Sequence, residues 1–238
     1  MNLPPFKLER YFAKYEFKTE FLLCSSDCES MTIADLLATE KGAAQKFQQV
    51  WLGYTESQGS PALRREISKL YETIQPENIL VHTGAEEAIY LFMFAAFKKG
   101  DHVIVHSPGY QSLAEVARAA GCDVSPWRAR EENKWALDLD ELRHLMRTNT
   151  KAVIINTPNN PTGYLMSRAD YNAVHKFAQE KNLLVFSDEV YRESEYDPED
   201  RLPAACDMGE HAVSLGVTSK TYGLAGLRIG WIATKNSK

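Results

Sequence analysis

The chain has 238 residues, 44% hydrophobic and 25% charged, and its 27 Lys and Arg against 32 Asp and Glu give a net charge of −5. This composition excludes a disordered chain, and 13 Gly and 10 Pro exclude a collagen-like or low-complexity one. No basic run supports nucleic-acid binding. The longest apolar stretch, Ala88–Phe97, is too short to span a membrane, and the N-terminus has no apolar segment typical of a secretory signal.

The first fifty residues predict an N-terminal arm with one helix, Thr32–Glu40, followed by a second helix at Pro61–Tyr71. From residue 79 onward, short apolar runs alternate with longer helical patterns, which favours a mostly parallel sheet covered on both faces. The predicted strands are Ile79–His82, His102–His106, Asp123–Trp127, Ala152–Asn156, Leu183–Ser187, Ala212–Leu215 and Ile229–Thr234. The predicted helices between them are Glu86–Phe97, Gln111–Ala120, Leu139–Met146 and Arg168–Glu180. The expected fold is a three-layer α/β sandwich around a seven-stranded sheet.

Ligands of open parallel sheets bind beyond the carboxyl ends of the strands, so the segments that follow each strand are the candidate site. The first is His-Thr-Gly-Ala-Glu-Glu-Ala at residues 82–88, which opens an apolar helix. Gly84 and the free amides of that helix predict an anion site. The alternative is an ordinary capping box between Thr83 and Glu86. The segment has neither a Gly-x-Gly-x-x-Gly motif nor a Walker lysine, which argues against binding of a dinucleotide or a nucleoside triphosphate.

Two proline-containing loops follow later strands. In Ser107-Pro108-Gly109-Tyr110 the turn can place the ring of Tyr110 where it stacks on a planar ligand, although surface packing is the alternative. The segment Asn-Thr-Pro-Asn-Asn-Pro-Thr-Gly, residues 156–163, predicts a stiff loop that presents the amide of Asn160 in a fixed direction.

The last two segments carry charge. Asp188, in Ser-Asp-Glu-Val-Tyr, ends a buried strand, where an unpaired carboxylate is costly, so either a cationic partner or a helix-capping role is expected. Tyr191 can lie beside it. Lys220 stands among small residues after another strand, where desolvation can turn it into a nucleophile. Arg228 offers a planar fork for a phosphate.

In their order these segments resemble the class I/II aminotransferases, pyridoxal-phosphate-dependent enzymes of fold type I. The resemblance runs from about Tyr54 to Trp231. It rests on Asn-Asn-Pro-Thr-Gly, Ser-Asp-Glu-Val-Tyr and Ser-Lys-(seven residues)-Arg-x-Gly. It implies pyridoxal 5′-phosphate as the cofactor and transfer of an amino group between an amino acid and a 2-oxo acid through a Schiff base on Lys220.

The resemblance also implies the role of each residue. Lys220, Asp188 and Tyr191 are the expected catalytic residues: Asp188 pairs with the pyridine nitrogen, and Asn160 and Tyr191 hydrogen-bond the phenolic oxygen of the ring. The other expected cofactor contacts are Tyr110 on the ring, Gly84, Ala85, Glu86, Ser219 and Arg228 around the phosphate, and Tyr54 reaching the phosphate of a partner subunit. A homodimer with shared active sites follows from that last contact.

The sequence departs from the family pattern at several points. Val217 stands where many members carry a phosphate-binding hydroxyl, which leaves Thr218 or Ser219 as substitutes. The arm segment Leu23–Cys28 lacks the Gly and Pro usual near the substrate carboxylate. Glu86 is compatible with a phosphate only if its side chain turns outward to solvent. The expected domains are residues 1–50 as an arm belonging to the small-domain and dimer region and residues 51–238 as the large domain, with the family's C-terminal small domain absent.

Other functions of the same site remain open at this stage. They are a C–S lyase, a decarboxylase and an enzyme like aminocyclopropane-carboxylate synthase, and more remotely a non-catalytic sensor or scaffold. The four cysteines are scattered and predict free thiols in a reducing cytoplasm rather than a metal site.

Overall fold

The fold is built on one sheet of seven strands, as a computed structural model that describes residues 3–236 shows. The strands are β1 (Ile79–His82), β2 (His102–Ser107), β3 (Asp123–Arg128), β4 (Thr150–Asn156), β5 (Leu184–Asp188), β6 (Ala212–Val217) and β7 (Gly230–Thr234). All seven lie where the sequence predicted strands, with ends that differ by no more than two residues.

The strand order is β1-β7-β6-β5-β4-β2-β3. Every neighbouring pair is parallel except the two that β7 makes, because β7 runs antiparallel to both β1 and β6. The predicted mostly parallel α/β sheet is therefore confirmed. Since β1, β2, β4, β5 and β6 all point the same way, the loops after these strands share one edge of the sheet.

Helices cover both faces of the sheet. The helices are α1 (Lys7–Tyr15), α2 (Ile33–Ala38), α3 (Ala43–Gln48), α4 (Pro61–Ser68), α5 (Ala85–Ala96), α6 (Gln111–Ala119), α7 (Leu139–His144) and α8 (Arg168–Glu180). One apolar cluster joins the sheet to α5 and α6, and a second joins it to α7 and α8. Phe186 belongs to the first cluster and its neighbour Val185 to the second, because successive side chains of a strand point to opposite faces.

The N-terminal arm differs from expectation, because it contains three helices among the described residues, not one. The sequence of α1 places Leu8, Tyr11, Phe12 and Tyr15 at helical spacing, a pattern that the prediction overlooked. The predicted helix Thr32–Glu40 forms as the shorter α2, which a capping box between Thr32 and Asp35 begins. Within residues 3–236, no helix is long and apolar enough to cross a membrane.

Candidate functional site

The candidate site lies at the sheet edge where the carboxyl ends of the parallel strands meet. Asp188 ends β5, and the loop that carries Lys220 follows β6. The loop of Asn160 follows β4, and the first residue of α5 follows β1 by three positions. Four separate segments of the sequence therefore contribute to one edge, as the general rule for open parallel sheets predicts.

Asp188 is a buried acid that makes no ion pair with the described residues. Its side chain is 2% exposed, and its Oδ1 accepts a hydrogen bond from the amide of Val190 at 3.2 Å. Burial raises the pKa of Asp188 to about 7 and outweighs the amide of Val190, which lowers it; Glu86 and Glu189 raise it further, and the charge of Lys220 lowers it. The ion pairs among residues 3–236 do not include Asp188. A cationic group brought to this carboxylate would therefore be held strongly.

Lys220 meets the N-terminal arm. Its Nζ lies 2.5 Å from Oδ1 of Asp27 and donates to Oγ of Ser26 at 3.3 Å. The same Nζ is 5.8 Å from the centre of the Tyr191 ring. The lysine side chain is 21% exposed, so the amine is accessible from one side.

Asn160 and Tyr191 are hydrogen-bonded to each other. Nδ2 of Asn160 donates to the hydroxyl of Tyr191 at 3.1 Å, and that hydroxyl donates to Oγ of Ser26 at 3.0 Å. The backbone amide of Asn160 donates to Oδ1 of Asn156 at 2.7 Å, and the Asn160–Pro161 peptide is cis. The hydrogen bond to Tyr191 gives the Asn160 side chain a defined direction in this structure. Two polar groups thus converge beside the lysine.

The start of α5 and the guanidinium of Arg228 lie next to each other. Gly84 has φ +87°, and a Cβ placed on it would stand 2.7 Å from Nη2 of Arg228. Arg228 is exposed, and its Nη1 donates to the carbonyl oxygen of Ala225 at 3.2 Å. The first amides of a helix lack partners within the helix, so the amides of Ala85 and Glu86 are suited to bind an anion next to Arg228.

Glu86 is exposed, which meets the condition that a neighbouring phosphate sets, although one of its carboxylate oxygens is also bound by the protein. Its Oε1 accepts a hydrogen bond from the buried Ser112 of α6 at 2.8 Å, and it lies close enough to Tyr110 to raise the pKa of that hydroxyl further, beyond the effect of burial. The capping box that was the alternative prediction for Thr83 and Glu86 does not form. Instead, Oε2 of Glu87 accepts from the amide of Thr83 at 2.5 Å.

Tyr110 and Tyr54 occupy very different surroundings. Tyr110 is half-buried immediately before α6, and its ring lies 5.2 Å from the ring of Phe6 in the arm. Tyr54 is fully exposed. The structure therefore places Tyr110 at the sheet edge and leaves Tyr54 outside the cluster formed by one chain.

The hydroxyl groups next to Val217 are not equivalent. Val217 is buried at the end of β6. The Thr218 hydroxyl donates to the carbonyl oxygens of Ile229 at 3.2 Å and Leu224 at 3.4 Å, so the backbone occupies it. Ser219 is half-buried and makes no side-chain hydrogen bond with the described residues. Ser219 is thus the better placed of the two candidates.

Several residues of the site had no role assigned from the sequence. Asn156 holds the loop of Asn160, and Ser26 and Asp27 contact Lys220 from the arm. Glu189 is buried and its Oε1 accepts from the amide of Ala205 at 2.7 Å and from Oγ of Ser214 at 2.9 Å. The sequence could have indicated the role of Glu189, because two adjacent acids at the end of a buried strand, Asp188 and Glu189, both need hydrogen-bonding or charged partners.

Comparison with known proteins gives one consistent family. The model of the family "Aminotransferase class I and II" matches residues 18–238. The chain is 30% identical to an aspartate aminotransferase of Pyrococcus horikoshii over 81% of its length and 51% of the relative. It is 29% identical to capreomycidine synthase of Streptomyces vinaceus over 96% of its length and 59% of the relative.

The fold agrees with these matches. A solved structure of a PLP-dependent aminotransferase from Streptococcus suis superposes with a TM-score of 0.92 and 35% identity, covering 100% of this chain and 63% of that one. The chain thus spans about half to three fifths of the length of the proteins that it matches.

Proposed function

The chain belongs to the aminotransferase class I and II family, and we propose that it binds pyridoxal 5′-phosphate and transfers an amino group between an amino acid and a 2-oxo acid. Lys220 is the residue to which the cofactor attaches. The observation that carries this proposal is the meeting of a buried acid without a cation, Asp188, with Lys220 and the Asn160–Tyr191 pair at one sheet edge. In this proposal residues 1–50 form an arm and residues 51–238 the cofactor-binding domain.

The residues present fit this cofactor at each of its polar groups. A protonated pyridine nitrogen is the cation that Asp188 lacks, and it would return the raised pKa of this carboxyl toward the ordinary value. Arg228 and the first amides of α5 match a phosphate, and the space that Gly84 leaves open lies beside that guanidinium. Asn160 and Tyr191 present donors to the phenolic oxygen, and Tyr110 lies at the same edge for stacking.

Pyridoxal phosphate, when bound, supplies a carbonyl carbon that reacts with amines and a ring that accepts an electron pair. The residues of the chain do the rest. Asp188 holds a proton on the ring nitrogen, which keeps the ring electron-poor. Nζ of Lys220, when its amine is free, would take the proton from the Cα of the substrate and pass it to the former carbonyl carbon of the cofactor. A positioned general base of this kind contributes roughly 10²–10⁴-fold to the rate.

Orientation is the second contribution of these residues. Arg228, the amides of Ala85 and Glu86, and the Asn160–Tyr191 pair would each fix a different group of the cofactor, so that the Cα–H bond faces Lys220. Ser219 is proposed as the hydroxyl that adds to the phosphate site. A geometry fixed at several points lowers the entropy lost on reaching the transition state.

The attachment to Lys220 is tested by borohydride reduction of the protein incubated with pyridoxal phosphate, followed by peptide mass mapping. The expected result is a pyridoxyl group on Lys220, its loss in Lys220→Ala, and its retention in the control Lys181→Ala, which changes an exposed lysine after α8. A label on another lysine would contradict the assignment.

Capreomycidine synthase among the relatives supports a second candidate, a different reaction on the same cofactor. The site residues described above serve both reactions. Incubation with an amino acid and 2-oxoglutarate tests transamination, which is expected to yield glutamate; consumption of the amino acid without formation of glutamate would favour the second candidate.

We also propose a homodimer with shared sites, supported by the fully exposed Tyr54 and its exposed neighbours Trp51 and Leu52. Light scattering measures the assembly, and mixing Tyr54→Phe with Lys220→Ala subunits is expected to restore one functional site per mixed dimer. A cytoplasmic, biosynthetic role is part of the proposal, supported by the four free thiols, of which Cys24 and Cys28 are exposed.

A further inference from the structure

A segment of the N-terminal arm, residues 25–29, lies directly against the lysine loop. Ser26 Oγ accepts hydrogen bonds from the hydroxyl of Tyr191 at 3.0 Å and from Nζ of Lys220 at 3.3 Å. Further along, a Cβ placed on Gly223 would stand 2.6 Å from the carbonyl oxygen of Glu29, so the two segments approach so closely that only glycine fits. The segment is therefore fixed at both ends over the site.

Asp27 is held between these two anchors. Its amide donates to Oγ of Ser25 at 3.1 Å, which folds the segment back on itself. Its Oδ1 lies 2.5 Å from Nζ of Lys220. The carboxylate is 47% exposed, whereas Asp188 is 2% exposed at the end of its strand. Asp27 thus adds a second negative charge to the site, on the side that is open to solvent.

Asp27 forms its ion pair with Lys220, the residue that the proposed reaction uses. Among the ion pairs of residues 3–236, Lys220 is the partner that Asp27 has. Two arginines in the segment after β5 pair with other acids: Arg192 with Glu193 at 3.9 Å, and Arg201 with Glu193 at 3.3 Å. When the amine of Lys220 attaches to the cofactor, as the proposed function requires, Asp27 loses the ion pair that it now makes. A negative charge at the open side then favours a positive group on the substrate and opposes a negative one.

We propose that Asp27 selects amino-acid substrates whose side chain ends in a cation, a guanidinium or an ammonium group, against substrates with an acidic side chain. This inference rests on the proposed function, because it assigns the substrate class of the same site. Asp27 acts here through contact with the substrate side chain.

The test measures binding, not turnover. Stable conjugates in which the reduced cofactor is joined to the α-nitrogen of L-arginine, L-norleucine or L-glutamate are titrated by calorimetry into the chain free of cofactor. The arginine conjugate is expected to bind about tenfold more tightly than the norleucine conjugate, as for a charge-assisted hydrogen bond that is partly exposed. The glutamate conjugate is expected to bind the most weakly.

Two variants locate the cause. Asp27→Asn is expected to weaken binding of the arginine conjugate about tenfold while leaving the norleucine conjugate unchanged. Glu20→Gln removes the same charge elsewhere in the arm, at an exposed residue with no ion pair in the described part of the chain, and is expected to change none of the three affinities.

Three results would overturn the inference. Equal affinities for all conjugates in the unmodified chain would show that the side chain is not recognised. An equal loss for all three in Asp27→Asn would assign Asp27 to the shared nitrogen instead. Binding of none of them, with pyridoxamine phosphate also unbound, would overturn the proposed function itself, so the two failures are distinguishable.

Discussion

Asn156 connects the buried acid to the neighbouring loop: its Nδ2 donates a hydrogen bond to the backbone carbonyl oxygen of Asp188 at 3.0 Å. The two residues are partners in the register of β4 and β5. Oδ1 of the same side chain accepts from the amide of Asn160 at 2.7 Å. One buried side chain therefore contacts the backbone of two residues that are proposed to bind different polar groups of the cofactor ring.

Replacing Asn156 is expected to disturb both neighbours. In Asn156→Ala the amide of Asn160 loses its acceptor, and a buried unsatisfied group costs about 1–3 kcal/mol. We expect the free energy of unfolding in urea to fall by about 2 kcal/mol. We also expect the Kd for pyridoxal phosphate, measured by absorbance, to rise at least about tenfold, a loss of roughly 1.4 kcal/mol.

A matched control comes from Asn149, which also donates through Nδ2 to a backbone carbonyl oxygen, that of Gly100 at 2.8 Å, just before β4 begins. Asn149→Ala is expected to leave the Kd unchanged. Unchanged cofactor binding in Asn156→Ala would show that the bridge does not position the site.

The sheet and most helices could be predicted from the sequence because the central strands are continuous apolar runs and turn residues bound them. Asp188 and Lys220 could be placed at one edge for the same reason, since strand direction fixes where each loop lies. The arm could not be placed. Asp27 contacts Lys220 across 193 residues, and no local pattern encodes a contact at that separation.

The direction of individual side chains was the other limit. Glu86 is exposed, as a position beside a phosphate requires, but the sequence did not predict that Ser112 of α6 would donate a hydrogen bond to its carboxylate. Such choices depend on which polar partner the packing of α5 against α6 brings near. Sequence spacing within α5 alone does not contain that information.

Gly84 provides a test of the anion site. Gly84→Ala is expected to push the Arg228 guanidinium away, because the new Cβ would stand 2.7 Å from Nη2. With φ +87° and ψ 172°, Gly84 lies in a backbone region that only glycine occupies readily, so alanine there adds strain of about 1–3 kcal/mol. We expect cofactor binding to weaken at least about tenfold.

Gly100→Ala separates the two effects. Gly100 has nearly the same φ, +88°, but nothing lies within 4 Å of a Cβ placed there. This control is expected to lose a similar amount of stability in urea while keeping the Kd for pyridoxal phosphate. Equal Kd values in the two variants would argue against the anion site.

Glu189 ties the end of β5 to the adjacent segments through its two hydrogen bonds from Ala205 and Ser214. In Glu189→Leu the amide of Ala205 loses its acceptor, and we expect the free energy of unfolding to fall by about 2–3 kcal/mol. Glu189→Gln keeps an oxygen at this position and is expected to lose less. Urea unfolding at pH 6 measures both, and a Leu variant as stable as the unmodified chain would contradict this structural role.

Asp188 is expected to make stability depend on pH in the protein without cofactor. Burial raises the pKa of this carboxyl from 3.8 to about 7 in the folded chain. As the pH rises from about 4 to 7, the unfolded chain ionises while the folded chain keeps the proton, so the free energy of unfolding falls and then levels off. The loss is at most about 4 kcal/mol.

Asp188→Asn removes the titrating group, so unfolding in urea at pH 4, 6 and 8 is expected to show a smaller loss of stability than in the unmodified chain. Asp200→Asn, at an exposed carboxylate, is the control and is expected to follow the unmodified chain. With pyridoxal phosphate bound, the cationic nitrogen favours the ionised carboxylate of Asp188. Asp188→Asn is therefore expected to bind the cofactor at least about tenfold more weakly at pH 8. Parallel pH profiles for Asp188→Asn and the unmodified chain would mean that Asp188 does not titrate between pH 4 and 8. The proposal that Asp188 needs a cationic partner would then fail.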